Sequence, residues 1–181
     1  MFGAESFTFE GVHHQTTPGQ INPGPVQPEG PSFLIAGAGS RALRLVAEHA
    51  DACNFGPGHA TGLARTPAEV GTKLDKVDND CRDIGRSPTT LLRSHFTSWL
   101  MLAPTDAAAR AKLAHYYPAG LNEEQRHSRL ATTPARAIAY YQALADAGMN
   151  YFVIQTLDAA DEETIRLLAT EVAPFVLSRP R

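Results

Sequence analysis

The sequence predicts an α/β protein built around a parallel sheet. From Pro31 onward, apolar strand-like segments alternate with segments of helical periodicity. Such alternation is typical of parallel strands joined by crossover helices. Two helix starts support the pattern, because Thr66-Pro67-Ala68-Glu69 and Thr133-Pro134 each combine a capping residue with a proline in the first turn.

Four strands separated by helices with one apolar face are predicted. The strands lie at about 33–37, 52–55, 90–103 and 151–156. The first helix, at about 40–50, is expected to take Ser40 as its N-cap, and the helix from Thr66 is expected to end at Gly85. Residues 116–132 are polar and irregular. The helix from Thr66 is expected to carry Ile84 on its apolar face, and a last helix from about Asp161 is expected to carry Ile165, Leu168, Val172 and Phe175.

Composition divides the chain into an arm and a domain. Residues 1–30 contain one short alternating segment, Phe7–Glu10, followed by many prolines and glycines, which is typical of an extended N-terminal arm. Residues 31–181 carry the regular β/α order and form the predicted domain. A chain of 181 residues is expected to have a single core domain.

Charge and composition narrow the partners and the location. A net charge of -3 favours neither nucleic acid nor an anionic membrane as a partner. No apolar run is long enough for a membrane span, and no export signal is visible, so a cytoplasmic location is expected. Cys53 and Cys81 lack metal or redox spacing, which fits a reducing compartment. His13 and His14 fit an exposed loop better than a metal site, so no metal is expected.

The most informative segment is the small-residue turn Ala36-Gly37-Ala38-Gly39-Ser40, between the first strand and the first helix. Such a turn leaves backbone N–H groups at the positive end of a helix, where a phosphate binds well. Two other interpretations remain open. Residues 37–42 fit a loose dinucleotide fingerprint, but the second strand ends at Asn54-Phe55 without the acidic residue that a ribose needs. The glycines also permit a tight turn with no ligand.

Three groups of motifs occur in an order that resembles a known family. They are 25–28 (PVQP), 33–39 (FLIAGAG), 41–45 (RALRL) and 49–54 (HADACN); then 66–70 (TPAEV) with 83–86 (DIGR); then 133–136 (TPAR) with 147–155 (AGMNYFVIQ). Together they resemble the later half of the bacterial luciferase-like oxidoreductases, the luciferase-like monooxygenase family. The resemblance covers nearly the whole chain, and the order of the motifs is stronger evidence than any one of them.

The resemblance implies a fold and a chemistry. The chain would form the second half of a (β/α)8 TIM barrel, a fold that needs ~250 residues when complete. The cofactor would be FMN or the deazaflavin coenzyme F420, and the reaction would be mono-oxygenation or hydride transfer on a small organic substrate. The residues implied to bind the cofactor or substrate are Gly37, Ala38, Gly39, Ser40, Arg41, His59 and Thr61. Arg41, His59 and Thr61 are also consistent with solvated surface residues, the usual state of polar loop residues, and no catalytic residue is assigned.

A half-barrel would leave two sheet edges and an apolar inner face uncovered. The strands near Phe33 and Tyr151 would be the edges. We therefore expect a homodimer, pairing with a separate N-terminal half, an open sheet protected by the arm, or a truncated product of little activity. The alternative function is a non-catalytic half-barrel that binds a phosphate-bearing ligand or serves as a subunit for a partner half. His95 is expected to be a core histidine rather than an acid or base.

Overall fold

A computed structural model describes residues 6–19, 22–28, 30–37, 39–58 and 61–177. The chain divides into two compact units, Met1–Phe33 and Leu34–Arg181. In the first unit, β1 (Phe7–Glu10) and β2 (Gln15–Gly19) form an antiparallel ribbon.

This ribbon differs from the plain connector that the sequence predicts after residue 10. The Gly11 N–H donates to the His14 carbonyl oxygen over 2.9 Å and closes the turn. Because the register shifts between Phe7 and Phe9, Pro18 lies in the irregular part of the ribbon. A proline there is outside the regular ladder, which is why β2 forms a strand although it contains Pro18.

The second unit alternates strands and helices in the predicted order. Its elements are β3 (Leu34–Ala36), α1 (Ser40–His49), β4 (Ala52–Phe55), α2 (Pro67–Asp83), β5 (Leu92–Leu102), α3 (Asp106–Tyr116), α4 (Glu123–Ser128), β6 (Leu130–Thr132), α5 (Pro134–Asp146), β7 (Tyr151–Thr156), and α6 (Glu162–Leu167), which continues through a π-helical segment (Leu168–Val172) into α7 (Ala173–Leu177). The capping box at Thr66 and Glu69 is confirmed. The sequence did not predict α4 and β6, which lie in the stretch that looked irregular.

Every pairing in the five-stranded sheet is parallel. The order is β3-β4-β5, with β7 on the other side of β5. β4 and β7 both pair with Ser94 and His95, so they lie on opposite edges of β5. At Leu100, β5 pairs with both β6 and β7. Strand β6 therefore lies on the same edge of β5 as β4, but closer to the carboxyl end of β5.

One face of the sheet packs against helices. The strand residues on that face include Ile35, Cys53, Phe55, Phe152 and Ile154, which join the helical side chains of the core. Because side chains alternate along a strand, the intervening residues face the other way. On that opposite face the two edge strands are open: Leu34 is 49% exposed and Tyr151 is 52% exposed.

Three helix residues expected on apolar inner faces are instead exposed. Ile84 is the C-cap residue of α2 and lies beyond its last turn, so it leaves the buried face. Ile165 and Phe175 were predicted to face inward with Val172 on a regular helical spacing. The π-helical segment adds a residue to the intervening turn, so only Val172 is buried.

Candidate phosphate-binding site

Helix α1 begins directly after the turn that follows β3, and its first turn is uncapped. Gly39, not Ser40, is the N-cap residue, and no side chain caps the helix. The prediction of Ser40 as N-cap was therefore wrong by one residue, because the glycine already has the extended backbone of a cap. Among the described residues, no acceptor binds the N–H groups of Ser40, Arg41 and Ala42.

Four other helices satisfy an N-terminal amide with a side chain. Their caps are Thr66 for α2, Thr105 for α3, Asn122 for α4 and Asp161 for α6. Helix α5 also lacks a side-chain cap, but it begins with Pro134, which has no N–H to donate. Helix α1 therefore combines free amides with the positive end of a ten-residue helix.

The two glycines of this turn have different roles. A Cβ at Gly37 would lie 2.8 Å from the Cβ of Ala42, so the turn itself requires a glycine there. A Cβ at Gly39 would have no atom within 4 Å, and Gly39, Ser40 and Arg41 are all exposed. Open space in front of free amides fits a phosphate group. Ala38, predicted to join this site, lies outside the described residues.

The loop after β4 is closed by its own hydrogen bonds. The Gly56 N–H donates to the Thr61 carbonyl oxygen over 2.8 Å, and the Ala64 N–H donates to the Gly56 carbonyl oxygen over 2.8 Å. The Thr61 hydroxyl donates to the Gly58 carbonyl oxygen over 3.2 Å. Thr61 thus shapes the loop, and its hydroxyl oxygen can still accept from a ligand. His59, the other residue predicted here, lies outside the described part of the chain.

The sheet brings the turn after β3 and the loop after β4 together at its carboxyl end. β3 and β4 are parallel neighbours, with Ala36 opposite Asn54. The turn after Ala36 and the loop after Phe55 therefore leave the sheet side by side at its carboxyl end. Ligands of parallel α/β folds bind at this end.

His95 is a core residue, as expected. Its side chain is fully buried on β5, and burial lowers its pKa to about 4. The imidazole lies 3.4 Å from the Thr97 hydroxyl and 3.5 Å from the Tyr140 hydroxyl. It faces helix α5 rather than the carboxyl end of the sheet, so it is not placed to react with a ligand there.

Strand β5 contains a bulge that the sequence did not reveal. Thr97 pairs with Ile154 and Leu100 pairs with Thr156, so β5 has one more residue than β7 across this interval. Within the bulge, Trp99 has φ of 57°, a strained conformation for a bulky side chain. Trp99 lies beyond His95, which pairs with the last residue of β4, so it lies at the carboxyl end of the sheet.

Arg129 lies beside this bulge. It immediately precedes β6, whose Leu130 pairs with Leu100. Its guanidinium carbon is 5.4 Å from the centre of the Trp99 ring and 5.7 Å from that of Tyr117. The Nε–H donates to the Tyr117 hydroxyl over 2.8 Å, and Nη1 donates to the Ser128 hydroxyl over 2.7 Å. The one hint in the sequence was a single tryptophan on a predicted strand.

The segment after β7 is anchored by a half-buried lysine. The Lys112 ammonium donates to the Leu102 carbonyl oxygen over 2.8 Å, to Asp161 over 2.9 Å and to Glu163 over 3.0 Å. Burial opposes ionisation of Asp161, but hydrogen bonds from Thr164 and Lys112 outweigh it and lower its pKa. This network fixes α6 against the end of β5 and has a structural role.

A cavity of about 660 Å³ lies beside the start of β7, away from the carboxyl end of the sheet. Tyr141, Phe152, Ile154, Val172 and Val176 contribute to its lining. It opens on the helix side of the edge strand β7, so we interpret it as a gap in packing at the open sheet edge rather than as the cofactor site.

The described residues contain no cluster of acidic, histidine or cysteine side chains suited to a metal ion. None of the described helices is both long and apolar enough to cross a membrane.

Fold and site together define a parallel β/α protein with an uncapped helix start at the carboxyl ends of its strands. Residues 1–169 match the family described as luciferase-like monooxygenase. The chain therefore belongs to the luciferase-like monooxygenase family. No curated protein matches it.

Solved structures show the same fold at low identity. The F420-dependent tetrahydromethanopterin reductase of Methanopyrus kandleri is 15% identical with a TM-score of 0.68, and the match covers 96% of this chain and 59% of that one. An F420-dependent secondary alcohol dehydrogenase with an F420-acetone adduct is 14% identical with a TM-score of 0.72, covering 96% and 57%. The oxygenating constituent of 3,6-diketocamphane monooxygenase from Pseudomonas putida, in complex with FMN, is 16% identical with a TM-score of 0.63, covering 98% and 60%.

This chain therefore spans 57–60% of the length of those three structures. The fold is the second half of a TIM barrel, as the resemblance implied.

Proposed function

We propose that this chain is the cofactor-phosphate half of a luciferase-like oxidoreductase that uses FMN or coenzyme F420. The observation that carries the proposal is the uncapped start of α1, where three amides lack acceptors among the described residues and open space faces Gly39. The FMN and F420 named for the similar structures support this choice of cofactors.

In this proposal the chain's own residues bind and orient. The amides of Ser40, Arg41 and Ala42 would donate to the phosphate, and the Arg41 side chain would add a charge-assisted contact. Gly37 and Ala38 would keep the turn narrow, while His59 and Thr61 would border the phosphate or the substrate. The bound cofactor supplies hydride transfer or oxygen activation on a small organic substrate.

Titration calorimetry tests this proposal. The protein is titrated with FMN, with F420 and with riboflavin, which lacks the phosphate. We expect FMN or F420 to bind and riboflavin to bind at least about ten-fold more weakly, the size of effect expected for charge-assisted bonds to a phosphate. No binding of either cofactor at millimolar concentration would contradict the enzyme proposal for this chain alone.

We propose further that the remaining barrel half is supplied by a second copy or by a separate polypeptide. Among the described strands, β3 pairs only with β4 and β7 only with β5, so both present free edges. The exposed Leu34 and Tyr151 lie on the face that a closed barrel buries.

Light scattering coupled to size-exclusion chromatography distinguishes the two sources. A dimer that Leu34→Glu dissociates indicates a second copy, and a monomer that binds an apolar dye indicates a separate half. A stable monomer without dye binding contradicts both.

The second candidate, a non-catalytic module, is favoured by the incomplete coverage of the solved structures. It predicts cofactor binding without turnover. Oxidation of reduced flavin or reduced F420 by the assembled protein separates the two, because only an enzyme accelerates it over the protein-free rate. The free, buried Cys53 and Cys81 support a reducing, cytoplasmic location for either function.

A further inference from the structure

We propose that Arg129, held between Trp99 and Tyr117, binds an oxyanion of the ligand at the carboxyl end of the sheet. The inference rests on the proposed function only for the nature of the ligand. The shared chemistry is a carboxylate or a phosphate: the carboxylate would belong to the substrate and the phosphate to the cofactor.

The first argument is the lack of a counterion. Three arginines of the described chain are half-buried: Arg86, Arg93 and Arg129. Arg93 pairs with Asp78 over 2.7 Å, and Arg86 donates to two backbone carbonyl oxygens. Arg129 has no carboxylate within ion-pair distance among the described residues. A partly desolvated charge without a counterion is costly, and an anionic ligand offsets that cost.

The second argument is the geometry of the guanidinium. A guanidinium has five N–H donors, and Arg129 uses one on Tyr117 and one on Ser128. Both bonds and both ring contacts hold the group in place before a ligand arrives. The remaining donors form the planar fork that matches a carboxylate or phosphate, which a lysine cannot reproduce.

The third argument is position. Arg129 lies next to Leu130, whose partner Leu100 is five residues along β5 from His95, the partner of the last residue of β4; this is roughly 17 Å at about 3.3 Å per residue. Strand β6 lies on the same edge of β5 as β4, but farther toward the carboxyl end of β5. The loop after β4 therefore leaves the sheet before the position of Arg129 is reached along that edge. The anion contacted by Arg129 would therefore lie on the same side of the sheet as the uncapped start of α1, separated from it by that loop. Strain at Trp99 fits a residue positioned for ligand contact.

Intrinsic fluorescence reports on this site directly, because Trp99 is the only tryptophan in the chain. The full chain is titrated at constant ionic strength with benzoate, with neutral benzamide and with inorganic phosphate. We expect a saturable change in Trp99 emission with benzoate and none with benzamide. Tighter binding of phosphate than of benzoate assigns the site to the cofactor, and the reverse assigns it to a substrate carboxylate.

Variants test whether Arg129 carries the effect. Arg129→Met is expected to weaken anion binding at least about ten-fold, and Arg129→Lys to keep only part of it. Arg82→Met, an exposed arginine near the end of α2, is the control and is expected to leave binding unchanged. Urea unfolding checks that each variant folds. The inference is overturned if neither anion changes the emission, if benzamide acts like benzoate, or if folded Arg129→Lys and Arg129→Met bind as the wild type does.

The result is separable from the proposed function. Normal FMN binding without any anion response at Trp99 removes this inference alone. An anion response that Arg129→Met abolishes, in a chain that binds no cofactor, removes the cofactor proposal and leaves the anion site.

Discussion

Arg86 and Ala50 are 36 residues apart, yet the Nη2 of Arg86 donates to the Ala50 carbonyl oxygen over 2.7 Å. The Nη1 atom donates to the Ala47 carbonyl oxygen over 2.9 Å. One guanidinium thus satisfies two carbonyl groups at the end of α1 and joins that end to the loop after α2. The helix that begins at the candidate phosphate site is therefore tied at its other, core-packed end to the loop after α2 by one side chain.

Arg86→Gln is expected to lower the free energy of unfolding by about 1–3 kcal/mol, because it leaves two partly buried carbonyl groups without their charged donor. Urea unfolding followed by circular dichroism measures the change. Arg82→Gln removes an exposed arginine four residues earlier and is expected to change stability by less than about 0.5 kcal/mol. Equal stability of Arg86→Gln and wild type would contradict this assignment.

Gly56→Ala is expected to destabilise the loop after β4. A Cβ at position 56 would lie 2.6 Å from the Phe96 carbonyl oxygen and 2.7 Å from the Thr61 hydroxyl, so backbone must move. We expect a loss of about 1–3 kcal/mol by overpacking. Gly58→Ala in the same loop is the matched control, since its Cβ would be 3.6 Å from the nearest atom, the Thr61 hydroxyl oxygen. If both variants unfold at the same urea concentration, the close approach of Gly56 has no energetic meaning.

His95 is expected to make stability depend on pH. Burial lowers its folded pKa to about 4, whereas an unfolded histidine titrates near 6.5. Between pH 4 and 6.5 the unfolded state binds a proton that the folded state does not. The stability that comes from burying a neutral His95 is therefore complete above about pH 6.5 and is lost as the pH falls toward 4. The loss is on the order of 3 kcal/mol. Urea unfolding from pH 7 to 4 should show it in the wild type and a shallower slope in His95→Asn; parallel slopes would refute the assignment.

Gly39→Val is expected to weaken FMN binding about ten-fold without unfolding the protein. The added side chain would fill the space in front of the α1 amides, while no atom of the described residues other than the chain neighbours of Gly39 lies within 4 Å of the new Cβ. Calorimetry measures the affinity and urea unfolding the stability. The same change at Gly71, on α2 and also without neighbours within 4 Å, serves as the control for affinity. An unchanged affinity in Gly39→Val would place the phosphate elsewhere.

Local signals predicted most of the fold. The capping box at Thr66 and the apolar spacing of α1 and α2 depend on neighbouring residues, so the sequence shows them directly. Strand β6 is only three residues long and exists because it pairs with the far end of β5. A strand held by such a distant pairing has no signal of its own.

The candidate site was predicted unevenly for the same reason. The turn at Gly37 and Gly39 is a local motif, so the sequence predicts it directly. Arg129 lies next to Trp99 only through the pairing of β5 with β6, and the φ of 57° at Trp99 follows from a bulge set by β7. Neither the Arg129–Trp99 contact nor the backbone angle of Trp99 leaves a pattern in the sequence.

Amide chemical shifts test the central claim most directly, namely that the free N–H groups at the start of α1 bind the cofactor phosphate. A ¹⁵N-labelled sample of this 19.5 kDa chain is titrated with FMN and, separately, with riboflavin. We predict that FMN shifts the amide signals of Ser40, Arg41 and Ala42, that riboflavin does not, and that the capped start of α2 at Glu69 is unaffected by either. FMN binding that leaves the α1 amides unmoved, or equal shifts with riboflavin, would contradict the account.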